Sequence, residues 1–178
     1  MLEGKTVNLR IMEKEDTPLL AEWFNNPEVS GEYNPLHQMS KTETEKMFEN
    51  PFERKPFIVE KKDGSKIGFV VHFYVLHPAA KLLEIGYSLV PNERGKGYCT
   101  EAVEIMLDYL FLSKETIRIQ ACTDTRNLAS QKVLEKAGFK KEGTLRKYLF
   151  IRGQPRNSIV YSILREEWKE PKILTRSN

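Results

Sequence analysis

The run Arg94-Gly95-Lys96-Gly97-Tyr98-Cys99-Thr100-Glu101-Ala102 holds the residue types whose spacing points most directly to chemistry. It follows a strand-like segment, Leu82–Val90, and opens a helix-like one, Glu101–Leu112. Glycine lets backbone amides approach a ligand without Cβ interference. A helix N-terminus adds unpaired N–H groups and the positive end of a dipole. Together they make a cradle for a phosphate or pyrophosphate, to which Arg94 and Lys96 add charge. Glu101 and Glu104 pull the other way, since carboxylates in the first turns partly answer the dipole themselves. The spacing is neither that of a nucleoside-triphosphate loop nor Gly-x-Gly-x-x-Gly, because position 100 is Thr. On these residues alone, a structural turn with a helix cap would look the same.

The surrounding elements must position this loop. Val7, Leu9 and Ile11 alternate with polar residues, so Thr6–Met12 reads as a strand. Asp16 can cap a helix that carries Pro18 in its first turn and stops near Asn25-Asn26-Pro27. The stretch to Met39 reads as loop or short turns, and Ser40-Lys41-Thr42-Glu43 is a capping box opening a helix to about Asn50. Pro56–Glu60 and Lys66–Val75 are strands joined at Asp63-Gly64, His77-Pro78 ends the second, and Lys81–Val90 is the next. Val103, Met106, Leu107 and Leu110 give the following helix an apolar stripe. Thr116–Ala121 is a strand, Leu128–Ala137 a helix capped by Gly138, and Phe139–Phe150 and Asn157–Leu164 close the chain as two strands. The order β α α β β β α β α β β predicts one mixed α/β (α+β) domain over residues 1–178. The tail from 166 to 178 is expected to be flexible.

A chain of 178 residues buries a real core without staples. With 30% charged and 40% hydrophobic residues it reads as soluble and globular. No apolar run spans a bilayer and no signal peptide is visible, so the expected compartment is the cytoplasm, with no membrane partner. Cys99 and Cys122 match no metal or redox spacing, and no metal is expected. Net charge +3 is too small to argue for nucleic acid. The stretch 140–156 is locally basic, with Lys140, Lys141, Arg146, Lys147, Arg152 and Arg156 against Glu142, and reads first as a solvated hairpin face. His37, His72 and His77 have no visible Ser, Cys or metal-ligand partner. Trp23 and Phe24 read as core.

Arg94-x-x-Gly97-x-Cys99 resembles the Gln/Arg-x-x-Gly-x-Gly/Ala signature of the GNAT acetyltransferase superfamily. Thr100-Glu101-Ala102 continues it as in the Rim-type branch, related to ribosomal-protein N-terminal acetyltransferases. Asn127 through Ser130 to Gly138-Phe139 is similar to that branch's Asn-x-x-Ser…Gly-Phe element. Ile85-Gly86-Tyr87, Glu142-Gly143, Leu9-Arg10 and Trp23 also fit, so the likeness covers nearly the whole chain. It implies acetyl-coenzyme A as donor and a primary amine as acceptor. It also implies a twisted mixed sheet of about seven strands, flanked by helices and split in a V between the fourth and fifth. Two departures stand out: Cys99 replaces the usual Gly or Ala, and Leu134 occupies the place where many branches carry a tyrosine that protonates the leaving thiolate.

Carried onto this chain, the resemblance puts the amides of Gly95, Lys96, Gly97, Cys99 and Thr100 on the donor's diphosphate. The strand edge at Leu89–Val90 meets the pantetheine arm, and Asn127 lies further along it. Arg94, Arg126 or Lys132 is open to the ribose phosphate. On a strand Glu84, Gly86 and Ser88 share one face, opposite Leu83, Ile85, Tyr87 and Leu89. Glu84 is thereby the candidate base, although a carboxylate near 4.3 must work through water or with a raised pKa against an amine at ~7.7–10.4. A surface or ion-paired Glu is the competing assignment. Ser130 is the candidate for the leaving sulfur, or else a helix cap. The oxyanion donor is expected in a backbone N–H near Leu89 or Val90. Tyr33 and His37, with Asn34, are expected at the acceptor.

The acceptor stays open between a protein or peptide N-terminal amine and a small amine such as a polyamine, for which Glu28, Glu32 and Glu84 offer acid. The competing function is a non-catalytic coenzyme A-binding or RNA/ribosome-associated module, motivated by the missing tyrosine and by Tyr148 and Phe150 among the basic residues. Nucleic acid is the less favoured partner, and a monomer or homodimer is expected.

Overall fold

The computed structural model describes residues 1–49, 54–75 and 82–174. The chain opens with a two-residue strand, β1 (Leu2–Glu3), and β2 (Val7–Ile11). Three helices follow: α1 (Thr17–Asn25), α2 (Pro27–Ser30) and α3 (Lys41–Glu49). Next come β3 (Lys55–Lys61), β4 (Lys66–Tyr74) and β5 (Leu82–Leu89), then α4 (Tyr98–Ser113), β6 (Arg118–Asp124), α5 (Leu128–Ala137), β7 (Lys140–Ile151) and β8 (Gln154–Leu164). The sheet order is β1-β2-β3-β4-β5-β6-β8-β7, eight strands against the seven expected. β1 is the extra one, too short for any alternation to show. α2 is a single turn in the stretch read as loop or short turns, with Asn26 capping it through the amide of Glu28 at 2.9 Å. His77, Pro78, Lys81 and Asn50 lie outside the described residues.

Every strand pair is antiparallel except β5–β6, which α4 joins in a parallel crossover. That pairing is confined to Leu82↔Arg118, Leu83↔Ile119 and Glu84↔Gln120. β5 then stays on β4 as far as Leu89, and β6 stays on β8 as far as Asp124. The two strands therefore part beyond Glu84, and the sheet opens in the expected V. β1 shifts the count, so the split falls between β5 and β6.

Ala102, Val103, Ile105, Met106, Leu107 and Leu110 of α4 are buried against Val7, Leu9, Val70, Leu83 and Ile85 of the sheet. A second, smaller cluster lies around Leu20, Trp23, Val29 and Ile58. Trp23 is thus buried, and Phe24 packs at the edge of that cluster. The Ser40–Glu43 capping box forms, with the Glu43 amide donating to Ser40 Oγ at 3.2 Å and the Ser40 amide to Glu43 Oε2 at 2.8 Å.

Two expectations change. Asp16 precedes α1 but does not cap it. Its buried carboxylate accepts from Arg10 at 2.8 and 2.9 Å, Lys66 at 2.7 Å and the Glu13 amide at 3.0 Å, because an ion pair compensates a buried charge better than one helix amide does. The tail is held to residue 174 rather than flexible from 166. Buried Asp108 accepts from Trp168 Nε1 at 2.9 Å and from the amides of Lys172, Ile173 and Leu174 at 3.2, 2.7 and 3.0 Å. Arg165 donates to the carbonyls of Phe111 and Lys114 at the C-terminal end of α4 and to that of Thr116 beyond it.

Candidate active site

The glycine loop takes the shape its composition suggests. Gly95 has φ +76 and Gly97 φ +89, and a Cβ on either would meet no atom within 4 Å. Here glycine is required by backbone conformation, and the space its missing side chain leaves is open for a ligand. α4 starts at Tyr98, directly after Gly97 and three residues earlier than expected, with no side-chain cap on its first amides. Glu101 does not supply one. Its carboxylate accepts from the Thr6 amide at 2.8 Å, the Thr6 hydroxyl and the Val7 amide at 3.4 Å. Glu104 is paired with Lys172 at 3.2 Å. The uncapped amides and open glycine faces suit an anionic diphosphate.

Two cavities lie side by side at the mouth of the V. The larger, about 310 Å³, is lined by Leu89, Arg94, Gly95, Cys99, Asn127, Ser130 and Tyr33, among others. The smaller, about 190 Å³, is lined by residues including Trp23, Phe24, His37, Arg54, Phe69 and Gly86. Val29, Ser30, Asn34, Tyr87 and Ser88 border both. His37 and Tyr33, expected together at one acceptor pocket, are thus divided: His37 on the smaller cavity, Tyr33 on the larger. Arg126 stands 5.4 Å over the Tyr33 ring. Lys96, Gly97 and Thr100 belong to the loop and first turn beside the larger cavity without lining it.

Several expected groups have partners that narrow their roles. The Val90 amide donates to Ile67 at 2.9 Å, so it is spent within the sheet. Alternation along the β4–β5 pair then turns the main-chain groups of Tyr87 and Leu89 toward the split. Leu89, not Val90, therefore offers the free edge. Arg94 is a latch: Nε donates to the Leu89 carbonyl at 2.9 Å, and Nη2 to Val29 and Glu28 carbonyls at 2.7 and 3.2 Å. Of the three basic residues weighed for the ribose phosphate, Arg94 is committed to carbonyls and Arg126 to Asp124 at 3.1 Å. Among the described residues, exposed Lys132 makes no ion pair. Lys96 is paired with Glu93 at 3.0 Å.

Asn127 caps α5, its Oδ1 accepting the Ser130 amide at 3.1 Å. That frees Ser130 of capping. Its hydroxyl instead lies 2.8 Å from the hydroxyl of Tyr87, a residue assigned no role of its own from the sequence. A signal existed: a hydroxyl-bearing ring alternates onto the otherwise aliphatic face of β5. Burial holds the Tyr87 phenol well above its ordinary pKa of 10, so it stays protonated and can donate. Leu134 is fully buried, and no acid arises there.

Glu84 lines neither cavity. It is half-buried one same-face step beyond Gly86, accepts from Gln120 Nε2 at 2.7 Å, and lies 4.0 Å from the Cys122 thiol. Burial raises its pKa, while the Gln120 hydrogen bond and the Arg54 charge oppose the rise. Burial also pushes the Cys99 thiol up to about 12 and Cys122 to about 11, so both are protonated at neutral pH and poor nucleophiles.

Among the described residues, no group of three or more His, Cys, Asp or Glu is placed to hold a metal ion. Nor is any helix there long and apolar enough to cross a membrane. On the basic β7–β8 hairpin Tyr148 and Phe150 are exposed, but Lys140 is paired with Glu167 at 2.6 Å and Arg152 donates to the Gly31 carbonyl at 3.0 Å.

A sheet split in a V, with a glycine-led helix at its mouth and a second helix presenting Asn and Ser across it, defines an acyltransferase of the coenzyme A-dependent kind. The chain belongs to the GNAT acetyltransferases: the model of the acetyltransferase (GNAT) domain matches residues 6–140. It is 35% identical over 175 residues to the probable N-acetyltransferase YjcK of Bacillus subtilis (strain 168), covering 92% of this chain and 97% of that one. It is 29% identical over 179 residues to the spermidine N(1)-acetyltransferase of Escherichia coli (strain K12), covering 94% and 91%. Among solved structures it resembles the ribosomal-protein-S5-alanine acetyltransferase of Vibrio fischeri, with TM-score 0.80, 27% identity and coverage of 94% and 97%. The chain is thus a GNAT-family N-acetyltransferase, and the donor used by its family is acetyl-coenzyme A.

Proposed function

We propose that the chain moves an acetyl group from acetyl-coenzyme A, held in the larger cavity, to a primary amine entering through the smaller one. The acceptor classes named by its relatives, a ribosomal protein and a polyamine, are the starting pair: a protein or peptide N-terminal amine, or a small-molecule amine. The observation that carries the reading is the junction of the two cavities at Tyr87 and Ser88, beside the Tyr87–Ser130 hydroxyl pair.

The residues divide the work. Amides from Gly95 to Thr100 hold the diphosphate, the free strand edge at Tyr87 offers its main chain to the pantetheine arm, and Asn127 lines the same cavity. When bound, acetyl-coenzyme A supplies an activated thioester carbonyl. A carbon–nitrogen bond forms as the carbon–sulfur bond breaks, so the amine gives up one proton and the departing sulfur gains one. Glu84 takes the first through water, since it stands back from both cavities. Ser130 Oγ gives the second, with Tyr87 donating to the serine oxygen and orienting its O–H. The free Leu89 amide is the main-chain donor for negative charge on the carbonyl oxygen.

Thiol release from acetyl-coenzyme A with a panel of N-terminal peptides and small amines tests this. Turnover with at least one amine is expected. Calorimetric binding of coenzyme A without turnover of any amine, together with steeply salt-dependent RNA retention, would replace it with the non-catalytic alternative.

A further inference from the structure

The smaller cavity carries information about the acceptor's charge. Trp23, Phe24, Phe69 and Val71 make most of its wall apolar. Its neutral polar groups, such as Asn34 and Ser88, cannot balance a full charge. Among the described residues it presents no carboxylate. The acids that the sequence offered for a cation lie elsewhere. Glu84 lines neither cavity, is bonded to Gln120 and feels the Arg54 charge. Glu32 lines the larger cavity, and Glu28 lines neither. The charged group that does line it is a cation, Arg54, exposed and stacked 5.0 Å from the centroid of the Phe73 ring.

A polyamine buries several ammonium groups, and each needs a counter-charge when taken from water. Among the described residues the aromatic walls and the guanidinium offer none within the cavity, and Glu84 stands a water's length away. The same surroundings favour the neutral form of an incoming amine, because a low-dielectric wall and a nearby cation both disfavour the ammonium. An amine that also carries an anion gains an arginine partner of matching fork geometry. The volume, about 190 Å³, suits a compact apolar body, being below the ~300–1,000 Å³ of drug-sized sites.

Resting on the acetyl-transfer reading above, we infer that the acceptor is a primary amine on a compact apolar body bearing a carboxylate, as in an apolar α-amino acid, and that Arg54 recognises the carboxylate. A polycation finds no carboxylate among the described residues of the lining.

The test measures binding separately from turnover. The full chain, saturated with coenzyme A, is titrated calorimetrically with L-phenylalanine, phenethylamine and spermidine. L-phenylalanine is expected to bind at least about tenfold more tightly than phenethylamine, the worth of one charge-assisted hydrogen bond, with no heat from spermidine. In Arg54→Gln the ratio between phenylalanine and phenethylamine is expected to fall to within about twofold. Spermidine binding more tightly than phenylalanine, an unchanged ratio in Arg54→Gln, or no binding by any of the three overturns the inference. Selective binding of phenylalanine without thiol release would leave the inference standing and defeat the enzymatic reading instead.

Discussion

The hydroxyls of Tyr87 and Ser130 lie 2.8 Å apart although 43 residues separate them in the chain. One comes from the β5 edge of the split sheet and the other from the first turn of α5, so the pair bridges the V where the two cavities meet. The buried phenol stays protonated and lies 3.3 Å from the Ser130 carbonyl as well; donated to the serine oxygen instead, its one proton leaves the serine proton free for the departing sulfur. Tyr87→Phe keeps the ring and removes only the donor. Turnover is expected to fall about tenfold, the worth of roughly one hydrogen bond, with coenzyme affinity little changed. Ser130→Ala should cost more, and the double variant no more than Ser130→Ala alone, because the tyrosine acts through the serine. Steady-state kinetics on the three variants decides it; additive losses would assign the two hydroxyls separate roles.

Glu84 makes a prediction in pH. Its carboxyl is raised by burial, so the acid limb of kcat/KM is expected above the ordinary carboxylate value of ~4.3. Below that limb the base is protonated and cannot accept. Glu84→Gln should lower turnover at least about tenfold, erase the limb and leave coenzyme binding intact. A variant with wild-type turnover and the same acid limb would hand the proton transfer to another group.

At Gly97 the backbone makes the argument. Its φ of +89 is poorly accessible to a β-branched residue, and a side chain there enters the open space beside the α4 amides. Gly97→Val is expected to lose coenzyme binding while retaining the fold, with strain lowering stability by about 1–3 kcal/mol. Calorimetry reports the first effect and denaturant unfolding the second. Retained affinity for coenzyme A would show that the diphosphate is held elsewhere.

What could be read from the sequence was what is local. The Ser40–Glu43 box, the Gly138 cap and the stripe of α4 each depend on residues a few positions apart, and each formed. The glycine loop was legible for the same reason. Tyr87 with Ser130, Arg94 with Val29, Asp16 with Lys66 and Asp108 with Leu174 were not, because tertiary packing alone brings such distant residues together. The tail illustrates the point: its polar composition suggested freedom, yet backbone amides satisfying one buried carboxylate fix it as far as Leu174. Val90 shows the converse, since proximity to the loop suggested a ligand contact while the ladder to Ile67 had already consumed its amide.

His72 supplies the last prediction. It is buried in β4, near the rings of Phe57 and Tyr109, and among the described residues neither ring nitrogen has a hydrogen-bond partner. Desolvation, helped by Lys114 and Lys55, lowers its pKa from 6.5 to about 4. The unfolded chain therefore takes up a proton near pH 6.5 that the folded chain refuses until about pH 4. Stability is full above this window and falls as the pH drops through it, by about 3 kcal/mol in all. His72→Phe places a third apolar ring among the other two and has nothing to titrate. Urea unfolding of both proteins from pH 7 to pH 4 should show the wild type losing stability relative to the variant as acid is added. Parallel curves would mean that the imidazole finds a partner for its proton in the folded protein, and that burial at this position carries no acid sensitivity.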